Sequence, residues 1–207
     1  MKSVKRGFAA ILACVFLIVS FGILPAFAAE EEHVLFSADF SSVAEGETPA
    51  KGTGNDQWSN ILTNADKKLF VRGEKDGDNT VLAFGCEESG QRGGPRIAKS
   101  VALTGLSSVM VSFRVKAEDT KLDVQLMRDE GGKSYTTALW SDITDGWAEV
   151  QIEIDLKKKT LKQTVNGKTV GEKEIHSIND YSTTQFRFTP TPEPGQSVYI
   201  DDVFITT

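Results

Sequence analysis

The chain has 207 residues, 29 of them acidic and 23 basic, for a formal net charge of −6. That balance argues against nucleic acid or anionic lipid as a partner, since neutralising phosphate needs a basic surface. With only two cysteines, Cys14 and Cys86, stability has to come from core burial rather than from a disulfide framework.

Lys2, Lys5 and Arg6 precede the apolar run Phe8 to Ile23, and Ala26-Phe27-Ala28 supplies the small-x-small pattern of signal peptidase cleavage. Pro25 and that site favour removal over a membrane anchor. The apolar run continues too far past Cys14 for Ile11-Leu-Ala-Cys14 to read as a lipoprotein site. Residues 1–28 are therefore expected to be a signal peptide and residues 29–207 one secreted, extracellular domain, long enough for a full core. Cleavage removes three positive charges, taking the net charge from −6 to −9, and leaves Cys86 as the single cysteine. No later apolar run approaches the ~20 residues of a membrane span.

The first expected strand is Val34-Leu-Phe-Ser-Ala-Asp-Phe40, with Val34, Phe36, Ala38 and Phe40 on one face at the period of a half-buried strand. Residues 41–57, rich in Gly, Ser, Thr, Pro and Asn, read as a loop leading to Trp58. Strands are expected at Leu69–Val71 and Val81–Phe84, separated by the turn Asp76-Gly-Asp-Asn79. A Gly-rich loop from Ser89 to Pro95 follows, then alternating strands carrying Val109, Val111, Phe113 and Val115, and Leu122, Val124 and Leu126. Tyr135–Trp140 is a shorter strand. Val150, Ile152, Ile154 and Leu156 form the most regular pattern.

Asn166-Gly167 predicts a hairpin between Thr160–Val165 and Lys168–Glu172, because a type I′ turn needs positive φ at both central residues. Thr184–Thr189 is another strand. The last expected strand, Ser197–Thr206, carries adjacent Asp201 and Asp202 and is expected to pair with Val34–Phe40. No segment has a long helical period. Short strands punctuated by turns predict an all-β fold, a two-sheet antiparallel β-sandwich or jelly roll in a single domain.

Several local patterns recur in order: Phe36-x-x-Asp39-Phe40, Glu45-Gly46-x-x-Pro49, Trp58, Gly77-x-Asn79-x-Val81-Leu82-x-Phe84, Trp147-x-x-Val150-x-Ile152-x-Ile154-Asp155, Val165-Asn166-Gly167 and Tyr199-Ile-Asp-Asp-Val203. Together they resemble the concanavalin A-like (laminin G-like) jelly-roll domains that accompany bacterial carbohydrate-active enzymes. The likeness spans nearly all of residues 29–207. It implies two antiparallel sheets, one concave, with sugar bound in the groove or on rim loops, and a structural Ca²⁺ near the termini. The family includes lectins, binding modules, hydrolases and lyases, so the fold alone does not decide function.

Asp39 and Asp202 are the candidate metal ligands, with Ca²⁺ the expected ion, because adjacent terminal strands could supply carboxylate and carbonyl oxygens. Strand alternation sets Asp201 and Asp202 on opposite faces and puts Asp202 on the row of Val198, Ile200 and Phe204. A carboxylate on such a row needs a metal or hydrogen-bond partners; both readings stand at this point.

Glu153-Ile-Asp155 resembles the start of the Glu-x-Asp-x-x-Glu or Glu-x-Asp-x-Glu strand of the family-sixteen glycosidases, but Lys157 and Lys158 follow where a second glutamate is needed, so the acid/base of a retaining hydrolase is missing. Tyr135, Tyr181, Tyr199, His33 and His176 are the available lyase bases, without the Gln-Ile-His or Arg-x-Glu-x-Arg patterns of alginate-lyase relatives. No catalytic residue is therefore named. For sugar binding the candidates are Arg114, Gln125 and Arg187 on polar strand faces, with Trp58 and Trp140 as stacking platforms.

Trp147 is expected to pack structurally, Cys86 to be a buried small hydrophobe, and Arg92-Gly-Gly to be a rim loop rather than an anion cradle, since no helix follows it. The expected function is a non-catalytic carbohydrate-binding domain, a monomer whose partner is a polysaccharide or glycan. The alternatives are a polysaccharide lyase or glycoside hydrolase of jelly-roll fold, and a structural or adhesive envelope protein without a sugar ligand.

Overall fold

The period-two patterns become thirteen strands among the residues the structure describes. A computed structural model describes residues 33–52, 54, 57–63, 69–87, 95–117, 121–128, 135–140, 146–175, 183–192 and 194–207. The expected leader, the Arg92-Gly-Gly loop, His176 and Tyr181 lie outside them. In chain order the strands are β1 (Val34–Ala38), β2 (Asn60–Leu62), β3 (Leu69–Asp76), β4 (Asn79–Cys86), β5 (Arg96–Ala102), β6 (Ser108–Ala117), β7 (Lys121–Arg128), β8 (Tyr135–Trp140), β9 (Ala148–Asp155), β10 (Thr160–Val165), β11 (Lys168–Glu174), β12 (Thr183–Thr191) and β13 (Ser197–Thr206).

They form two antiparallel sheets. The larger runs β11-β10-β9-β6-β13-β4-β3, with β1 pairing β13; the smaller runs β2-β5-β12-β7-β8. Among the described strands only β3–β4, β7–β8 and β9–β10–β11 follow one another within one sheet, and every other successive pair lies in opposite sheets. That crossing pattern makes the two-sheet sandwich expected from the sequence.

The core follows from alternation. On β6 Val109, Val111, Phe113 and Val115 are buried, and three of them face Ile154, Ile152 and Val150 of β9 in register. The smaller sheet contributes Leu122, Val124 and Leu126 from β7 and Phe186 and Phe188 from β12. Phe113 meets Phe188 edge-on at 5.1 Å, so the inner faces of the two sheets touch there. Each fully buried aliphatic or aromatic side chain contributes roughly 1.5–3 kcal/mol. The hairpin turn has φ 48° at Asn166 and 75° at Gly167, as its type requires.

Two strands depart from simple alternation. The register of β1 shifts between Val34 and Phe36, so Val34 is exposed while Phe36 is fully buried. On β13, Asp201 pairs with Arg114 and Phe204 with Ser112, three steps against two on β6. The surplus residue is Asp202, at φ 50°, which makes a β-bulge. The bulge corrects the expected placement of Asp202 on a core-facing row. Val203 and Ile205 take the core row after it, Phe204 turns outward, and the buried carboxylate is Asp201, at 1 % exposure.

Candidate functional site

Asp201 lies where β13 changes neighbours: its pairing with β4 ends at Ile200–Leu82, and β1 takes over at Val203–Ala38. Asn79, at the start of β4, donates from Nδ2 to Asp201 Oδ2 at 2.8 Å, and Arg114 Nη1 stands 3.7 Å away. Asp201 Oδ1 is buried without a hydrogen-bond partner. Burial, and then the adjacent charge of Asp202, push this carboxyl from 3.8 up to about 6.

Arg114 does not join a sugar-binding row with Gln125 and Arg187. It is on β6 in the larger sheet, whereas those two are on the smaller one. Its guanidinium lies 3.3 Å from Asp202 and 4.8 Å from the centre of the Trp147 ring. Trp147 donates Nε1–H to Asp76 at 2.8 Å, and Lys116 faces the same carboxylate at 3.5 Å. The Trp147 hydrogen bond, aided by the Lys116 charge, holds the Asp76 carboxyl below its usual value. This polar and aromatic cross-bracing ties β3, β4, β6 and β13 to the residue that leads into β9. It gives Trp147 the structural role expected of it and occupies Arg114.

Trp58 is likewise not a platform for a ligand. At 1 % exposure it stands edge-on to Phe36 at 4.7 Å and to Phe188 at 6.0 Å, and stacks with Phe40 at 6.2 Å. The loop around it is pinned by Lys99, whose ammonium donates to the carbonyls of Gly54 and Gln57 at 2.5 and 2.9 Å. Trp140 ends β8 opposite Leu122, and its side chain lies outside the described residues.

Gln125 and Arg187 do come together. They face each other in register on β7 and β12, and β5 places Ala98 on the other side of Arg187. Leu122, Val124, Leu126, Phe186 and Phe188 point into the core, so Gln125, Gln185, Arg187 and Thr189 point outward and are half-buried. Arg187 Nη2 donates to Gln185 Oε1 at 3.0 Å, while Arg187 Nε and Thr189 Oγ1 are both buried without a partner. Burial, and then the positive charge of Arg96, lower the Arg187 guanidinium from its ordinary value. Thr189, Gln185 and Arg96 were not read as site residues from the sequence, although Thr189 lies two residues from Arg187 and so shares its face.

Both expected metal ligands have protein partners. Asp39 accepts from the backbone N–H and hydroxyl of Ser41 at 3.1 and 2.9 Å, and Asp202 faces Arg114. Among the described residues no group of three or more His, Cys, Asp or Glu is placed to hold a metal ion. On the strand tested for glycosidase chemistry, Asp155 accepts from the Lys158 backbone at 2.7 Å and pairs with its ammonium at 2.9 Å, and Glu153 is exposed opposite Lys162.

No family model and no curated protein sequence matches the chain. Solved structures do. A Bacteroides ovatus mixed linkage glucan PUL GH16, in complex with a G4G4G3G product, is 16% identical with a TM-score of 0.53, covering 83% of this chain and 100% of that one. A glycoside hydrolase family 16 endo-glucanase from Bacteroides ovatus, in complex with G4G3G-2F-DNP, is 17% identical with a TM-score of 0.51 over the same shares. A sialidase is matched over 70% of this chain but 16% of its own length, at 11% identity and a TM-score of 0.45. The fold is a concanavalin A-like jelly roll, as the sequence motifs implied.

Proposed function

We propose that this chain is an exported, non-catalytic carbohydrate-binding domain whose ligand lies on the outward face of the five-stranded sheet. The observation that carries the reading is the register pair Arg187–Gln125, flanked by Gln185 and Thr189, with hydrogen-bonding capacity that the protein itself leaves unused. Planar amide and guanidinium groups on one face suit the hydroxyl pattern of a sugar. The two GH16 proteins of the same fold, each solved with an oligosaccharide, make that ligand class the natural one to test. The engagement of Asp155 by Lys158, and the absence of a second glutamate after Asp155 in sequence, speak against retaining hydrolysis. The leader pattern supports export.

Affinity electrophoresis of the full chain, purified after export, against plant, algal and microbial glycans tests the reading. Retention by at least one polymer, weakened about tenfold or more by Arg187→Ala or Gln125→Ala, is expected. Unretarded migration in every glycan overturns it.

A further inference from the structure

The outward face of the smaller sheet is not neutral. Arg96 opens β5, two residues before Ala98, the register partner of Arg187, so its side chain shares the face of Arg187 one diagonal step away. Both arginines are half-buried, and the charge of Arg96 acts unfavourably on Arg187. Four other cations have carboxylate partners: Arg72 pairs with Glu74, Arg114 with Asp202, Lys116 with Asp76 and Lys158 with Asp155. Among the described residues neither Arg96 nor Arg187 has a carboxylate partner. Asp123, opposite Thr189 on β7, is the acidic residue nearest in register, and its side chain lies outside the described residues.

Two guanidiniums on one face, one diagonal step apart and without a carboxylate partner among the described residues, carry an energetic cost. An anionic ligand removes it by supplying charge-assisted hydrogen bonds to fork-shaped donors. We infer that the glycan this face takes is an acidic polysaccharide, its carboxylate or sulfate group seated between Arg96 and Arg187 with Gln125 and Thr189 contacting neighbouring hydroxyls. The inference rests on the carbohydrate-binding reading and names the ligand class for that face. Uronate and sulfate ester share the negative charge and acceptor oxygens that the two guanidiniums recognise.

The test titrates the full exported chain with a polyuronate, a sulfated galactan, a neutral mixed-linkage glucan, and the same polyuronate after chemical reduction of its carboxyl groups. Binding to the polyuronate or the sulfated polymer is expected at least tenfold tighter than to the glucan. It should weaken as salt rises, and reducing the carboxyl groups should abolish the advantage of a polyuronate. Which anionic polymer is bound more tightly separates the two sources.

Arg187→Gln and Arg96→Gln should each weaken acidic-polymer binding roughly ten- to a hundredfold, with Arg187→Lys keeping part of it. The reduced polymer needs no protein variant, so the result does not depend on the variants folding. Equal or tighter binding of the neutral glucan overturns this inference and leaves sugar binding standing. Binding of no polymer overturns sugar binding itself. Acidic-polymer binding that all three variants retain in full places the anion elsewhere and also overturns the inference.

Discussion

Replacing Trp58 by alanine separates the two roles that the sequence allowed this residue. The indole is 1 % exposed and touches three phenylalanine rings, from β1, from the segment just after it, and from β12. Truncating a buried Trp typically costs 3–5 kcal/mol. The edge-on and stacked contacts put this site towards the upper end, since such ring pairs add about 0.5–1.5 kcal/mol each beyond area burial, though not additively.

The surroundings also relax poorly. Phe40 is held at φ 55°, and the loop beside Trp58 is tied to the Lys99 ammonium. For a domain stabilised by roughly 5–15 kcal/mol the loss is about a fifth of the total or more. At about 2–4 °C per kcal/mol for this size, the melting temperature should fall by roughly 6–20 °C. Urea and thermal melts followed by circular dichroism measure it, with Trp58→Phe expected to cost less. A loss below about 1 kcal/mol, accompanied by a tenfold drop in glycan retention, would refute the core role and return Trp58 to the ligand.

Asp201 predicts a pH dependence. Its carboxyl sits at about 6 against 3.8 in the ordinary state, so the folded chain binds the extra proton between those values and stability falls as pH rises through that window, by at most about 3 kcal/mol. Melts in EDTA should show Asp201→Asn gaining stability at pH 7.5 and losing the slope; a calcium-induced rise in melting temperature that this variant abolishes would instead assign the orphan oxygen to a cation. Gly85→Ala should destabilise by about 1–3 kcal/mol in denaturant melts, because a Cβ there would collide with the Phe70 ring, on which Arg72 stacks at 4.0 Å; no change would mean that the ring swings aside freely. Incubation with any glycan the chain retains should release neither reducing ends nor unsaturated products, and either one would revive the enzyme reading.

Local rules carried the fold. Period-two burial on β6 and β9, the Asn166-Gly167 turn and the buried Cys86 were legible because each depends on near neighbours in sequence. What was not legible came from pairing at a distance. One inserted residue at Asp202 reverses which carboxylate is covered, and alternation cannot show a bulge whose cause is a change of partner strand. Lys99 falls on an inward row between Ile97 and Val101, where a charged residue argues against burial, yet carbonyls 42 and 45 residues away receive its ammonium. The candidate site was half legible. Polar-face reasoning found Gln125 and Arg187, but assignment of Arg114 to the other sheet depended on strand order, which the sequence pattern does not encode.

The position of β13 has a consequence for folding. Three strands, β6, β4 and β1, hydrogen-bond to it, so it is the joint of the larger sheet. Without it, among the described strands, β1 would have no partner, β4 would have only β3, and the β6–β9–β10–β11 block could not join them. Pairing between segments so far apart in the chain makes folding slow, because the loop closures must be made before the contacts that reward them.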